Sequence, residues 1–179
     1  MLRLATSARK TVVAGLTALS IAAVPAAPAL AWGEKEQGFV AGVATALKPG
    51  GRFVGEFGGF GNVSKIREAS IAALNARGLD GEAANPWYFP TAEEYAELLA
   101  AHGFKVTSSV LIPRPTPLPG RMADWIKTLA QDFVAPVPEA EQDDFLEGVE
   151  NDLAPDLKDA DGKWTADYVR LRFSAHLED

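Results

Sequence analysis

The chain has 179 residues, 47% of them hydrophobic and 23% charged, which is enough to bury one sizeable core and too apolar for intrinsic disorder. A formal net charge of −7 without basic clusters argues against holding nucleic acid through phosphate neutralisation. Cysteine is absent, and the only histidines are His102 and His176, which excludes thiolate chemistry and disulfides and disfavours a multi-histidine zinc site.

The amino terminus differs in kind from the rest. Residues 1–10 carry Arg3, Arg9 and Lys10, residues 11–24 are uncharged and apolar or small, and PAAPALA ends on Ala29 and Ala31. This is the pattern of a secretory signal peptide with cleavage after Ala31. An uncleaved anchor is a second reading, although Pro25 and Pro28 make a poor membrane helix, and an alanine-rich stretch of accidental composition is a third. The expected division is a signal-like segment over 1–31 and a folded body over 32–179.

The body alternates helical and extended patterns. Residues 34–47 put Phe39, Val40, Val43 and Leu47 on one helical face, and Lys48-Pro49-Gly50-Gly51 stops that helix. A short apolar run over 52–57 reads as a buried strand. Asn62 is placed to cap a helix whose stripe is Val63, Ile66, Ser70, Ile71 and Leu74. After a loop over 79–86 come Trp87-Tyr88-Phe89-Pro90 and a capping box, Thr91 with Glu94. The helix it opens carries Tyr95, Leu98, Leu99 and His102 on one side and closes at Gly103.

Residues 104–111 read as a strand, and the proline-rich run over 112–120 as irregular chain. Met122, Trp125, Ile126, Leu129 and Phe133 predict one amphipathic helix, and Phe145, Leu146, Val149 and Leu153 another after Pro138. Asp159 to Gly162 predicts a turn. The last strand alternates Val169, Leu171 and Phe173 with Tyr168, Arg170 and Arg172, and its polar face suits a sheet edge. The fold class is α/β, with helices between strands and an antiparallel return expected at the carboxy-terminal end.

Gly59-Phe60-Gly61 follows a strand and precedes a helix, as a dinucleotide cradle does, but the third glycine position is Ser64. Asp80 and Glu82 lie at the distance of the ribose-binding acid, yet no strand precedes them. Two readings compete with a cradle. One is a glycine crossing where no side chain fits. The other is a substrate rim at the carboxyl end of the strand, lined by Glu56 and Asn62. The turn at Gly162 fails as a calcium loop, because Leu157 and Tyr168 would occupy ligand positions. His102 reads as a helix-end residue, and Glu36, Glu93 and Glu94 as solvated helix faces. Trp87, Tyr88, Phe89 and Trp125 are core residues by default, or one wall of a small-molecule pocket with Arg114 supplying charge for a carboxylate.

The segments ALKPGGRFVGEFGG, NPWYFPTAEEYAELLAAHGFKV, PRPTPLPGRMADWI and DADGKWTADYVRLRF resemble the carboxy-terminal half of class I S-adenosylmethionine-dependent methyltransferases. The similarity is to the small-molecule branch that includes trans-aconitate methyltransferase. It implies a partial Rossmann-like methyltransferase sheet, made of the late strands and an antiparallel return, together with helices. It also implies S-adenosylmethionine as cofactor and a small-molecule methyl acceptor. Ala29-Leu30-Ala31-Trp32 is similar to the family's segment after strand four, which makes Trp32 the cofactor-flanking residue. Glu56, Asn62, Tyr88, Arg114 and Trp125 are the expected substrate-binding residues, with no catalytic side chain and no metal. The glycine-rich loop and acidic residue that hold the cofactor in the family have no counterpart before Leu30. Without the earlier strands, the strand over 52–57 is expected to be an open edge through which the chain self-associates. Family resemblance implies a cytoplasmic protein, and the signal-like segment an exported one. A non-catalytic remnant or exported binding module is the competing reading of function.

Overall fold

The strand that ends the chain organises the sheet. In this computed structural model, which describes residues 33–178, the chain order is α1 (Glu34–Ala46), β1 (Arg52–Gly58), α2 (Ser64–Asn75), α3 (Ala92–Ala101), β2 (Phe104–Pro113) and β3 (Thr116–Pro117). There follow α4 (Met122–Leu129), α5 (Gln131–Val134), a 3-10 turn (Glu139–Glu141), α6 (Gln142–Leu157), β4 (Thr165–Ala166) and β5 (Val169–Leu177). The signal-like segment and Trp32 lie outside the described residues.

The main sheet has the order β1-β5-β2, and β5 is antiparallel to both neighbours. The expectation of an edge position for the last strand is therefore corrected: β5 is central. Its polar face marks a sheet face open to solvent, a feature that a central strand shares with an edge. The apolar face carries Leu171, Phe173 and Ala175, all buried, under α1 and α3. Phe173 meets Phe53 at 4.8 Å and Tyr95 at 4.9 Å between ring centroids. On the opposite face Arg52, Val54, Val110 and Arg172 are exposed. Among the described residues β1 pairs only with β5.

A second core lies among α2, α4, α5 and α6, where Ile66, Leu74, Ile126, Phe133, Phe145 and Leu146 are buried. It contains the predicted stripe of α2 and the inward face of α6. The helix expected through Phe133 is instead broken at Ala130, whose φ of −134° is outside the helical range. The break lets α5 bury Phe133 and Val134 together and leaves Leu129 exposed. Phe39 departs from its predicted stripe in a similar way, being 60% exposed while Val40 is buried.

The proline-rich run is also more regular than expected. β2 continues to Pro113, and Thr116–Pro117 pairs with Thr165–Ala166. The prolines at 113, 115, 117 and 119 alternate with donors: Arg114 N–H bonds to the Tyr168 carbonyl at 2.7 Å and Leu118 N–H to the Trp164 carbonyl at 2.8 Å. Only alternate residues of an antiparallel edge face the partner, so prolines at the others cost no ladder bond. A register shift between Val106 and Ser108 adds one residue to β2, which keeps both Phe104 and Leu111 on the helix-covered face.

The start of α2 corrects another expectation. The residue before the helix is Val63 in the left-handed region (φ 47°), and it makes no side-chain cap. Asn62 is buried, and its Oδ1 accepts the Val169 N–H at 2.9 Å. The capping acceptor comes from far along the chain: Asp167 Oδ2 accepts the Lys65 N–H at 2.9 Å. The Thr91–Glu94 capping box forms as predicted, with both reciprocal bonds present.

Two measurements follow from these contacts. Replacing Asn62 by Ala leaves the partly buried Val169 N–H without its acceptor, an expected loss of about 1 kcal/mol in urea unfolding. Asn62→Asp retains an acceptor and should lose less; equal losses would contradict the assigned bond. Glu150 ties α6 to the start of α4 by accepting from the Arg121 side chain and from the Ala123 N–H. Burial alone raises its pKa, but the bonds from Arg121 and Ala123, with the Arg121 and Lys158 charges, outweigh that and hold the carboxyl below its usual range. The folded pKa is depressed, so this stabilisation is present above the unfolded value of about 4.3 and is lost as pH falls through the folded one. Wild type should exceed Glu150→Gln by on the order of 1 kcal/mol at neutral pH, Arg121 being largely exposed, and the gap should close below about pH 4. A gap independent of pH would contradict this assignment.

Candidate functional site

The chain leaves β1 through residues 58–63 with hardly any freedom. Gly59 N–H bonds to the Val169 carbonyl at 3.0 Å, Phe60 N–H to the Pro90 carbonyl at 2.7 Å and Val63 N–H to the Asp167 carbonyl at 3.0 Å. At Gly58 a Cβ would sit 2.6 Å from Phe89 Cε1, and at Gly59 2.8 Å from Leu171 Cβ. Gly61 has a φ of +82°, which side chains rarely adopt. The glycines thus serve close packing and a tight turn. The β-branched Val63 at positive φ costs about 1–3 kcal/mol, a strain that concentrates at functional loops.

Two cavities open beside this turn, and Tyr88 borders both. One of about 360 Å³ is lined by Glu36, Phe39, Phe57, Tyr88, Tyr95 and their neighbours Val40 and Pro90. The other, about 510 Å³, lies among Phe60, Asn62, Arg67, Trp87, Tyr88 and Glu94 with the adjoining turn residues. The capping box therefore has a second use. It holds Glu94 at the wall, where its carboxylate also accepts a hydrogen bond from Tyr88. Burial first, then that bond and the Glu94 charge, push the Tyr88 pKa up. Tyr95, in the first cavity, is pushed up by burial to about 12. Both phenols are consequently protonated at neutral pH and act as donors rather than bases.

The predicted substrate residues fall into three places. Asn62 and Tyr88 line the larger cavity together. Glu56 and Arg114 meet each other on the open sheet face, Arg114 Nη1 lying 2.8 Å from Glu56 Oε1. There Arg172 Nη2 is 2.6 Å from Oε2 and Arg170 Nε 3.6 Å from Oε1, so one carboxylate stands among three guanidinium groups. The Arg172 hydrogen bond, with the three charges and against a smaller effect of burial, holds the Glu56 carboxyl below its usual range. Trp125 donates to the Tyr168 hydroxyl at 2.7 Å and reaches the cavity wall only through Trp87, 6.2 Å away between ring centroids. Trp32, the expected cofactor-flanking residue, lies outside the described residues.

Several lining residues carry no sequence signal that marks them as cavity residues. Glu36 and Glu94 read as solvated faces and Tyr95 as core, yet each borders a cavity. The signal that marks the place is the aromatic run 87–89 immediately before a capping box, because it fixes where the rings stand relative to the start of α3. Among the described residues no group of three His, Asp or Glu side chains is arranged to hold a metal ion.

No family model matches the chain. A protein of Schizosaccharomyces pombe (strain 972) that bears the name of an uncharacterized methyltransferase is 40% identical over 140 residues, which is 76% of this chain and 54% of that protein. The chain spans about half the length of this curated relative, and over most of its own length it is similar to part of a methyltransferase.

Proposed function

We propose that the chain carries the acceptor side of an S-adenosylmethionine-dependent methyltransferase that acts on a small molecule, in the class I, trans-aconitate-methyltransferase-like branch. The observation that carries this reading is the 40% identity to a protein named as a methyltransferase. The antiparallel return of β5 supports it, since a late return of this kind belongs to the Rossmann-like sheet that the resemblance implies. The cytoplasm, where S-adenosylmethionine is made, is the corresponding compartment.

The residues present fit part of such a cofactor. The smaller cavity, walled by Phe57, Tyr88 and Tyr95 beside Glu36, suits a methylated cationic end. The described residues contain no G-x-G-x-G loop for the rest of it. When bound, the cofactor supplies a methyl group on a positively charged sulfur. The chain's own residues bind and orient. Asn62, anchored by Val169, fixes the rim, and the protonated Tyr88 hydroxyl, held by Glu94, forms the wall between the two cavities. Aligning two reactants in this way supplies most of what methyl transfer needs from a protein. Glu56, Arg114 and Trp125 stand outside the cavities and support the sheet face and the Trp87 wall.

The competing reading is a non-catalytic binding module. Incubating the full chain with S-adenosylmethionine labelled in its methyl group and a protein-free metabolite extract separates the two. The expected result is label in the small-molecule fraction, reduced roughly tenfold or more by Tyr88→Ala. Absence of transfer would favour the binding module, and label in protein or nucleic acid would contradict a small acceptor.

A further inference from the structure

Six large hydrophobic residues are exposed among those described, and three of them, Phe39, Phe60 and Tyr88, border the two cavities at the end of β1. Exposed rings gathered at a concave place mark a contact with something else. The smaller cavity has a particular chemistry. Among the described residues its walls include the aromatic residues Phe39, Phe57, Tyr88 and Tyr95, its one carboxylate is that of Glu36, and no lysine, arginine or histidine lines it. Phe57 and Tyr95 stand nearly edge to face, 4.7 Å between centroids at 68°, so two ring planes meet almost at a right angle. At about 360 Å³ the cavity lies at the small end of ligand pockets, roughly 300–1,000 Å³.

We propose that this cavity is a binding site for a small methylated organic cation, a quaternary ammonium or a sulfonium. Aromatic faces are negative and attract a cation whose charge is spread over methyl groups, because such a cation is weakly hydrated and gives up its water at little cost. Glu36 supplies the counter-charge. Among the described lining residues an anion has no cationic partner, and a neutral compound gains nothing from the Glu36 charge. The arrangement holds for an ammonium-bearing acceptor as well as for the sulfonium of a methyl donor, so it does not depend on the chain performing methyl transfer.

The test is calorimetric titration of the full chain with choline and with 3,3-dimethyl-1-butanol, which has the same shape without the charge. Choline should bind roughly tenfold more tightly, and Tyr88→Leu and Glu36→Gln should each lower that preference. Both positions are exposed, so the variants should fold, as circular dichroism would check. Equal affinity for the two compounds, or no binding of either, would overturn the proposal. Titrations with S-adenosylmethionine and S-adenosylhomocysteine distinguish the sources. Tight binding of the first alone, in competition with choline, identifies a sulfonium donor. Choline binding without it identifies an ammonium acceptor, and in that case the site stands even where the proposed activity fails.

Discussion

Placing β5 between β1 and β2 is the constraint on which the rest of the molecule depends. A single strand supplies ladder partners to both neighbours and, through Leu171, Phe173 and Ala175, the floor on which α1 and α3 pack. The approach to it matters as much. Asp167 accepts from the Lys65 amide through its side chain and from the Val63 amide through its carbonyl, and Val169 accepts from Gly59 and donates to Asn62. Residues more than a hundred positions apart thus fix the turn after β1. The turn cannot relax independently of the sheet, which explains how a β-branched Val63 is kept at positive φ.

The functional geometry follows from that anchoring. With the turn pinned at Gly59 and Val63, Phe60 is held outward and bonded through its backbone to Pro90, which joins the rim to the aromatic run before α3. The capping box then sets Glu94, and Glu94 sets Tyr88. The cavities are therefore built from three separate stretches of chain whose relative position is determined by hydrogen bonds, a pre-organised arrangement suited to holding a small ligand. A separate cluster of charge lies on the open sheet face, where the guanidinium groups of Arg114, Arg170 and Arg172 gather around Glu56.

Local signals made much of this legible. The stripe of α2, the capping box, the turn at Gly162 and the alternation of β5 each depend on residues close in sequence, and each forms as read. What was not legible depends on distant partners. Nothing near Asn62 indicates that Asp167 will cap α2 and free Asn62 to bond Val169. Nothing in the polar face of β5 distinguishes a central strand with one solvated side from an edge. The prolines at 113–119 look incompatible with a sheet until the phase of their donors against Trp164 and Tyr168 is known. For the site, the sequence singled out Asn62 and Tyr88, which line one cavity, but the grouping of Glu36 with Phe57 and Tyr95 is assembled by packing of α1 and α3 over the sheet.

The central claim is that ligand chemistry is concentrated where the turn after β1 meets the aromatic rings, rather than in the helical core or on the arginine-lined face. Nuclear magnetic resonance of the chain with isotope-labelled phenylalanine, tyrosine and tryptophan rings, titrated with tetramethylammonium chloride against a sodium chloride control, measures this directly. The account predicts ring shifts at Phe57, Tyr88 and Tyr95, with Trp125, Phe145 and Trp164 unmoved. Shifts centred on Trp125 or Trp164, or none above the salt control, would contradict it.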